Sequence, residues 1–186
     1  SSVINSIDQL KEQIEGGAIR GSNLFHSFQE FNVGENRSVY FTNPAGIANI
    51  LTRITGNNAS KILGKLGVLG GANLFLVNPN GILFGPNSSL DIRGSFIATT
   101  ADEIRLGENG LFSATNLQNS NLLSVEPSAL FFNQIARQDK GNIVNQSIAE
   151  EVGLQVPYGE TLGLIGREVI IDCGKLKTEQ GRIEIG

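Results

Sequence analysis

The sequence has one cysteine, Cys173, one histidine, His26, and neither tryptophan nor methionine among its 186 residues. A single cysteine excludes an internal disulfide framework and a cysteine-built zinc site. Neither a ligand spacing for a transition metal nor an EF-hand or glycine-aspartate calcium repeat is present, so we expect no metal and no cofactor. The chain must fold on its apolar residues, and a hydrophobic content of 40% is enough for a single domain.

Charge and hydropathy exclude two classes of partner. The formal net charge is -4, and the 14 basic residues are spread along the chain, so no cationic stripe is available to neutralise a nucleic-acid backbone. The longest apolar run, 72–77, is short and is interrupted by Asn73, so we expect no stable membrane insertion. The sequence does not begin with a signal-peptide pattern. It ends at 182–186 in the alternating pattern of a strand, without a terminal cap, and we interpret the chain as a fragment of a longer protein.

Glycine and asparagine punctuate short β-branched or leucine-rich runs throughout the sequence, which is typical of strands joined by tight turns. From 72 to 114, and again from 168 to 185, each run offers one or two inward apolar residues and ends at a turn. This rhythm predicts an all-β chain wound into parallel coils, that is, a β-helix or solenoid. An antiparallel barrel or sandwich remains an alternative on periodicity alone.

Two segments break the rhythm. Residues 116–165 are richer in Gln, Asn and Glu and are predicted to leave the helix as a hairpin with loops. Residues 6–14 fit a short amphipathic helix, with a capping strand as the competing prediction. We therefore expect a cap at about 1–35, coils at 36–115, an extra-helical excursion at 116–160 and a further coil at 161–186. The cap is expected to cover the open edge of the first coil.

Four passages carry a family resemblance: Asn-Leu-Phe-His-Ser-Phe at 23–28, Asn-Pro-Ala-Gly-Ile at 43–47, the run 72–85 around Asn-Pro-Asn-Gly, and Gly-Ser-Phe-Ile-Ala-Thr-Thr at 94–100. They resemble the haemagglutination-activity, or two-partner-secretion, domain at the N terminus of filamentous haemagglutinin-like exoproteins. The resemblance implies a right-handed parallel β-helix with an N-terminal cap and extra-helical strands.

The function that the resemblance implies is a non-enzymatic secretion signal. Such a domain addresses its exoprotein to a cognate outer-membrane β-barrel transporter, whose periplasmic domains bind it, and then nucleates β-helix folding at the cell surface. The expected route runs through the periplasm to the cell surface or medium, and we expect a monomer. The turn or transporter-recognition residues implied are Asn43, Pro44, Gly46, Asn78, Pro79, Asn80, Gly81 and Ile82. The cap motif implied is Asn23, Leu24, Phe25, His26, Ser27 and Phe28.

Elementary stereochemistry gives the Asn-Pro motifs a structural role as well. Pro79 presets φ for a turn, Gly81 can adopt positive φ, and Asn78 can hydrogen-bond to the backbone two residues on. Both the purely structural interpretation and direct transporter contact remain open. The first motif lacks the second asparagine, so its role as a contact is less secure than its role as a turn.

The lone histidine and cysteine have no predicted chemistry. His26 lies in an aromatic cluster without a nucleophile or carboxylate beside it, so a packed, hydrogen-bonded histidine is the expected interpretation. Cys173 falls at a turn position where the family commonly has glycine, and we assign it no function.

Two rival functions remain: an adhesin or carbohydrate-binding module, and a β-helical polysaccharide-degrading enzyme. An enzyme of that class needs converging carboxylates, for which the sequence offers Asp91, Asp102, Glu103, Glu168 and Asp172. In this sequence each lies beside a turn or in an alternating strand, where acidic side chains normally face solvent. Carbohydrate clefts also use aromatic platforms, and the phenylalanines on the predicted strands are expected in the core. We therefore predict that the chain is not an enzyme.

Overall fold

A computed structural model describes residues 1–131 and 141–186 of the chain, and no α-helix occurs in these two ranges. Two 3-10 turns lie at Leu117–Asn119 and Ala149–Glu151. The strands are, in chain order, β1 (Ser2–Ser6), β2 (Lys11–Gly16), β3 (Ala18–Arg20), β4 (Asn23–Phe28), β5 (Ser38–Thr42), β6 (Asn49–Ile54), β7 (Ser60–Ile62), β8 (Lys65–Leu69), β9 (Asn73–Val77), β10 (Ile82–Phe84), β11 (Ser89–Asp91), β12 (Phe96–Thr99), β13 (Glu103–Leu106), β14 (Gly110–Ser113), β15 (Pro127–Phe131), β16 (Ile143–Asn145), β17 (Leu154–Gln155), β18 (Thr161–Ile165), β19 (Val169–Ile171), β20 (Leu176–Lys177) and β21 (Arg182–Ile185).

The strands wind into a parallel β-solenoid of about 6 turns. Face one contains β2, β5, β8 and β11, followed by β17 and β20. Face two contains β4, β6, β9, β12, β18 and β21 as one continuous parallel ladder. Face three contains β7, β10, β16 and β19. The predicted all-β parallel β-helix is confirmed, and the antiparallel barrel and sandwich are excluded.

The core is built from the residue that each coil places at the same inward position. On face two, five such residues are in register and have no exposed surface: Leu24, Ile50, Leu74, Phe96 and Leu162. Each fully buried side chain of this size contributes roughly 1.5 to 3 kcal/mol through the hydrophobic effect. Stacking coils therefore bury a continuous apolar column, which explains why such short strands are stable within the stack.

The N-terminal end of the solenoid is capped by two antiparallel strands. β1 pairs with β2 at the edge of face one, and β3 pairs with β4 at the edge of face two. The predicted helix at 6–14 is wrong: the segment is a bend at 7–10 followed by β2, which belongs to the first coil, and the capping strand on this face is β1, just before it. The would-be helical face is not buried, because Ile7 and Leu10 are 54% and 59% exposed. Ile14 instead enters the core from β2, which takes its parallel hydrogen bonds from β5.

Coil boundaries differ from the predicted division at both ends. Because β2 and β4 pair in parallel with β5 and β6, the first coil begins at Lys11 and lies inside the segment predicted as a cap. The coils also resume earlier than residue 161, because β16 and β17 pair in parallel with other coils. Part of the predicted excursion, residues 132–140, lies outside the described residues.

The extra-helical part is a three-stranded antiparallel sheet in the order β14-β13-β15. It is inserted in the fourth coil, after β12 on face two and before β16 on face three. The prediction of coil strands at 103–106 and 111–114 is wrong: these runs form an antiparallel hairpin. Gly107 lies in its turn with a φ of +68°, a conformation that glycine adopts without strain.

This sheet packs on the outside of face two and forms a second, smaller core. Its buried members are Phe25, Leu51, Val77, Ile104, Leu106, Phe112 and Ala114. The outward side chains of three successive coils, which would otherwise face solvent, are thus covered by residues from much later in the chain.

We predict that Phe96→Ala lowers the free energy of unfolding by about 3 to 5 kcal/mol, because Phe96 is fully buried and packs edge-to-face on Phe84 at 6.0 Å between ring centroids. Tyr158→Ala serves as control: Tyr158 is 72% exposed, so its loss should change stability by less than about 0.5 kcal/mol. Urea denaturation of both variants measures the difference. Equal stabilities would contradict this packing.

Candidate functional site

The second Asn-Pro motif forms the corner between β9 and β10, and its first residue is completely buried. Asn78 has no exposed surface. Its Nδ2 donates to the backbone oxygen of Asn58 and to Oγ of Ser60, both at 3.0 Å. Since Asn58 and Ser60 belong to the preceding coil, the side chain connects two coils instead of pointing outward.

The following residues complete the same clamp. Asn80 donates its backbone N–H to Oδ1 of Asn78 at 3.0 Å, and its Nδ2 donates to the backbone oxygen of Gly56 at 2.8 Å. Gly81 has a φ of +121°, and its N–H donates to the backbone oxygen of Asn78 at 3.1 Å. Pro79 and Ile82 are buried. The folded motif 78–82 is therefore an internal structural unit.

The first motif, at the corner between β5 and β6, combines an anchored asparagine with a free tip. Oδ1 of Asn43 accepts the N–H of Ala72 in the next coil at 2.8 Å, and its Nδ2 donates to the backbone oxygen of Ile47 at 3.0 Å. Pro44, Ala45 and Gly46 are exposed. Gly46 has a φ of +82°, and no atom lies within 4 Å of where its Cβ would be.

The structure does not bring the two motifs together. One lies at the corner between faces one and two, and the other lies at the corner between faces two and three. They share a mechanism, in which an asparagine side chain bonds the neighbouring coil. The tip at 44–46 is exposed in the folded chain, whereas residues 78–82 are buried except for the partly buried Asn80.

A third set of asparagines was missed from the sequence. Asn23, Asn49 and Asn73 are in register at the start of three successive strands of face two. Nδ2 of Asn49 donates to Oδ1 of Asn23 at 3.1 Å, and Nδ2 of Asn73 donates to Oδ1 of Asn49 at 3.0 Å. The available signal was the recurrence of Asn followed by two apolar residues at all three positions.

This asparagine ladder also holds the extra-helical segment. Nδ2 of Asn23 donates to the backbone oxygens of Leu123 and Val125 at 2.9 and 2.8 Å. Nδ2 of Asn49 donates to Oε2 of Glu126 at 2.7 Å. The first two rungs thus bind residues 77 to 102 positions later, which couples the N-terminal coils to the extra-helical segment.

The cap motif forms the whole of β4. Leu24, Phe25 and His26 are buried, Phe28 is partly buried, and Ser27 is exposed. Leu24 faces the main core and Phe25 faces the second core, so the strand separates the two.

His26 lies inside this strand with 1% of its surface exposed. Nδ1 is 2.7 Å from Oγ of Ser2, and the ring packs against those of Phe28 and Phe41 at 6.0 and 5.3 Å between centroids. Burial lowers the pKa of His26 from its ordinary value of 6.5 to about 4, so the ring is neutral at pH 7. A packed, hydrogen-bonded histidine is what the sequence led us to expect.

The acidic residues considered for catalysis are distributed over face one, face three and the extra-helical hairpin, with Glu168 directly before β19. Asp91 is on face one, where its Oδ2 accepts the hydroxyl of Tyr40 at 2.6 Å. Asp172, beside face three, accepts Nε2 of Gln146 at 3.0 Å. Asp102 and Glu103 belong to the start of the extra-helical hairpin, where burial and the neighbouring Asp102 raise the pKa of Glu103.

The remaining ligand candidates form no metal-binding cluster in the described part of the chain. No group of three or more His, Cys, Asp or Glu side chains there is arranged to hold a metal ion. Cys173 is exposed and has a φ of +60°, which accounts for glycine being suited to this turn position. Over the same residues, no helix is long and apolar enough to cross a membrane.

We predict that Asn78→Asp destabilises the fold by roughly 2 to 4 kcal/mol, because the carboxylate cannot donate to Asn58 or Ser60 and is buried. The matched control is Asn57→Asp, at an exposed position, which should change stability by less than about 0.5 kcal/mol. Thermal and urea denaturation report both. If the two variants were equally stable, the clamp would have no energetic role.

Acid should destabilise the fold through His26. Because its folded-state pKa lies below the unfolded value, stability is fully present above pH 6.5 and is lost as the pH falls toward 4. The loss should be roughly 1 to 3 kcal/mol across this window. His26→Gln removes this titration, so the difference in unfolding free energy between parent and variant should become smaller as the pH falls from 6.5 to 4. Profiles that ran parallel from pH 7 to pH 4 would contradict it.

Comparison with known proteins agrees with this architecture. A family model described as the TPS secretion domain matches residues 3–186. The crystal structure of the filamentous hemagglutinin secretion domain is similar with a TM-score of 0.51 at 15% sequence identity, over 100% of this chain and 97% of that chain. At that identity the structural likeness shows the fold alone.

Two heme/hemopexin-binding proteins of Haemophilus influenzae are similar over part of the chain, at 39% identity over 83 residues and 35% over 82 residues. These matches cover 45% and 44% of this chain but 9% and 8% of the relatives, so the chain corresponds to a small part of their length. Since the family model spans nearly all of the chain, the chain belongs to the TPS secretion domain family, whose members are the secretion domains of large exoproteins.

Proposed function

We propose that this domain is the export signal of its exoprotein, recognised by a cognate outer-membrane β-barrel transporter through the transporter's periplasmic domains. The observation that carries the proposal is the family match over residues 3–186. The route leads through the periplasm to the cell surface, where the domain acts as a monomer that nucleates folding of the β-helix. The domain has no catalytic role in this proposal.

The burial of the second Asn-Pro motif supports recognition of an unfolded chain. Asn78, Pro79 and Ile82 are buried in the folded domain, so a transporter can contact them only before the coils stack. The tip at 44–46 is exposed and can be contacted before or after folding. Once the coils have folded, the second motif is buried and can no longer bind the transporter. Folding outside the cell would therefore prevent the chain from moving back and would favour outward export.

The contacts of Asn23 suggest an order of folding. Asn23 and Asn49 are 26 residues apart, and Asn49 and Asn73 are 24 apart. Asn23 also bonds Leu123, which is 100 residues away. Because closing a longer loop costs more conformational entropy, coils one to three stack first and the extra-helical segment docks on them later. The capped N-terminal coils are therefore the nucleus, and each later coil adds to the exposed edge.

The heme and hemopexin binding named for the two relatives is not carried over to this domain. The matched segments are 9% and 8% of those relatives, so the binding in their names belongs to much longer proteins. The export signal is the function that the family match supports.

The test is secretion of the chain from a Gram-negative host, exported to the periplasm behind a cleavable signal peptide, with and without the cognate transporter. Immunoblots of medium and periplasm measure the distribution. We expect the chain in the medium only when the transporter is present. Periplasmic retention despite a functional transporter would contradict the proposal.

Two variants separate recognition from folding. The tips 44–46 and 157–159 are both Pro-x-Gly turns between faces one and two, with hydrogen bonds Ile47 N–H to Pro44 O at 3.2 Å and Glu160 N–H to Pro157 O at 3.1 Å. Ala45→Lys should reduce secretion about tenfold without changing the melting temperature, because it alters the implied recognition motif at an exposed site. Tyr158→Lys, at the matched control turn, should be secreted normally. Equal secretion of both variants argues against recognition at the first motif.

A further inference from the structure

A cavity of about 410 Å³ lies outside face two, between the N-terminal residues and the extra-helical sheet. The residues that line it include Ala18, Phe25, Ser27, Arg53, Phe112 and Leu122. Its volume falls in the range of small-molecule sites. None of the Asn-Pro motif residues belongs to it, so it is separate from the proposed recognition motifs.

Arg53 is fixed at this cavity entirely by neutral groups. Its Nε donates to Oγ of Ser27 at 2.7 Å, and its Nη1 donates to the backbone oxygen of Ser113 and to Oγ of Ser120, each at 2.7 Å. The guanidinium also lies 4.7 Å from the centre of the Phe112 ring. These contacts hold the side chain in one orientation before any ligand arrives.

The charge of Arg53 is not neutralised within the described part of the chain. No carboxylate there is within ion-pair distance of Arg53, and its Nη2 has no hydrogen-bond acceptor there. The guanidinium is partly buried, and this burial lowers the pKa of Arg53, although the group stays protonated. Buried charges are normally paired with a group of opposite charge. The partly buried guanidinium of Arg53, whose Nη2 can still donate, therefore lacks an anionic partner within the described part of the chain.

The other half of the cavity is apolar. Its floor is the tilted aromatic pair of Phe25 and Phe112, with ring centroids 5.1 Å apart and both rings buried in the second core. The partly buried side chains of Ala18 and Leu122 pack beside this pair and give the cavity its accessible apolar surface. Ser27 accepts its hydrogen bond from Arg53, which leaves its own hydroxyl proton available to a ligand. The cavity thus places two donors for an anion next to a surface that favours an aromatic or aliphatic group.

We propose that this cavity binds a carboxylate carried on an apolar group, with Nη2 of Arg53 and the hydroxyl of Ser27 donating to the carboxylate and Ala18 and Leu122 contacting the apolar part. The ligand is either a small aromatic or aliphatic acid or an acidic residue beside an apolar one in a polypeptide. The inference does not rest on the proposed export function.

The probes are phenylacetate, its uncharged isostere phenylacetamide, and the peptide N-acetyl-Phe-Asp-amide, titrated into the ¹⁵N-labelled chain and followed by NMR. We expect saturable shifts of the Arg53 side-chain Nε–H signal with phenylacetate, at a dissociation constant on the order of 1 mM, weakened by added salt. Phenylacetamide should bind at least about tenfold more weakly. Tighter binding of the peptide than of phenylacetate assigns the site to a polypeptide, and weaker binding assigns it to a free acid.

Two variants locate the binding. Arg53→Gln should weaken phenylacetate binding about tenfold or more. The affinity of Arg53→Lys for phenylacetate should lie between those of Arg53→Gln and the parent. Because Arg53 also holds Ser113, a second variant, Ala18→Trp, fills the cavity while leaving Arg53 in place and should abolish binding. For these variants the readout is the shift of backbone amides lining the cavity. No saturable shift up to about 20 mM, equal binding of the amide isostere, or unchanged binding in Ala18→Trp would overturn the inference.

Discussion

Each coil of this solenoid depends on its neighbours for its backbone hydrogen bonds. The strands on all three faces are short, and most of their N–H and C=O groups bond to the coil before or after instead of within the same coil. A single coil would leave these groups without partners and its apolar residues exposed. Stability is therefore a property of the stack, and the N-terminal edge must be closed by β1 and β3 before the stack can end there.

Asparagine extends this dependence to the corners, where the backbone ladder is interrupted. Asn43, Asn78 and the ladder of Asn23, Asn49 and Asn73 all bond a neighbouring coil through their side chains. An amide both donates and accepts, so one residue can bond the coils on both sides, as Asn49 does. The Asn-Pro motifs are thus part of what holds the coils together. In the proposed function, recognition of the unfolded segment and stability of the folded one would use the same residues.

Much of the architecture could be predicted, because inward apolar residues and turn residues recur along the sequence. The runs 73–77, 96–99 and 182–185 lie where the alternation placed them. The hairpin at 103–113 shows the limit: its strands have the same alternation as coil strands, and only the antiparallel partner distinguishes them. The helix predicted at 6–14 is wrong for a related reason. Three apolar residues at helical spacing do not reveal that β5 has an unpaired edge, and the strand β2 forms because it pairs with that edge. Arg53 could not be anticipated either, because its partners Ser113 and Ser120 are distant in sequence.

The position of the extra-helical sheet has a consequence for how such domains vary. It enters and leaves at one corner of the fourth coil, while β12 still pairs with β18 on face two and β16 still pairs with β19 on face three. The axial rise from the fourth coil to the fifth is thus set by strand pairing and is independent of how many residues the corner carries. Corners are therefore the places where this scaffold can accept new segments over evolution without altering its pitch, and surface diversity can accumulate on an unchanged frame.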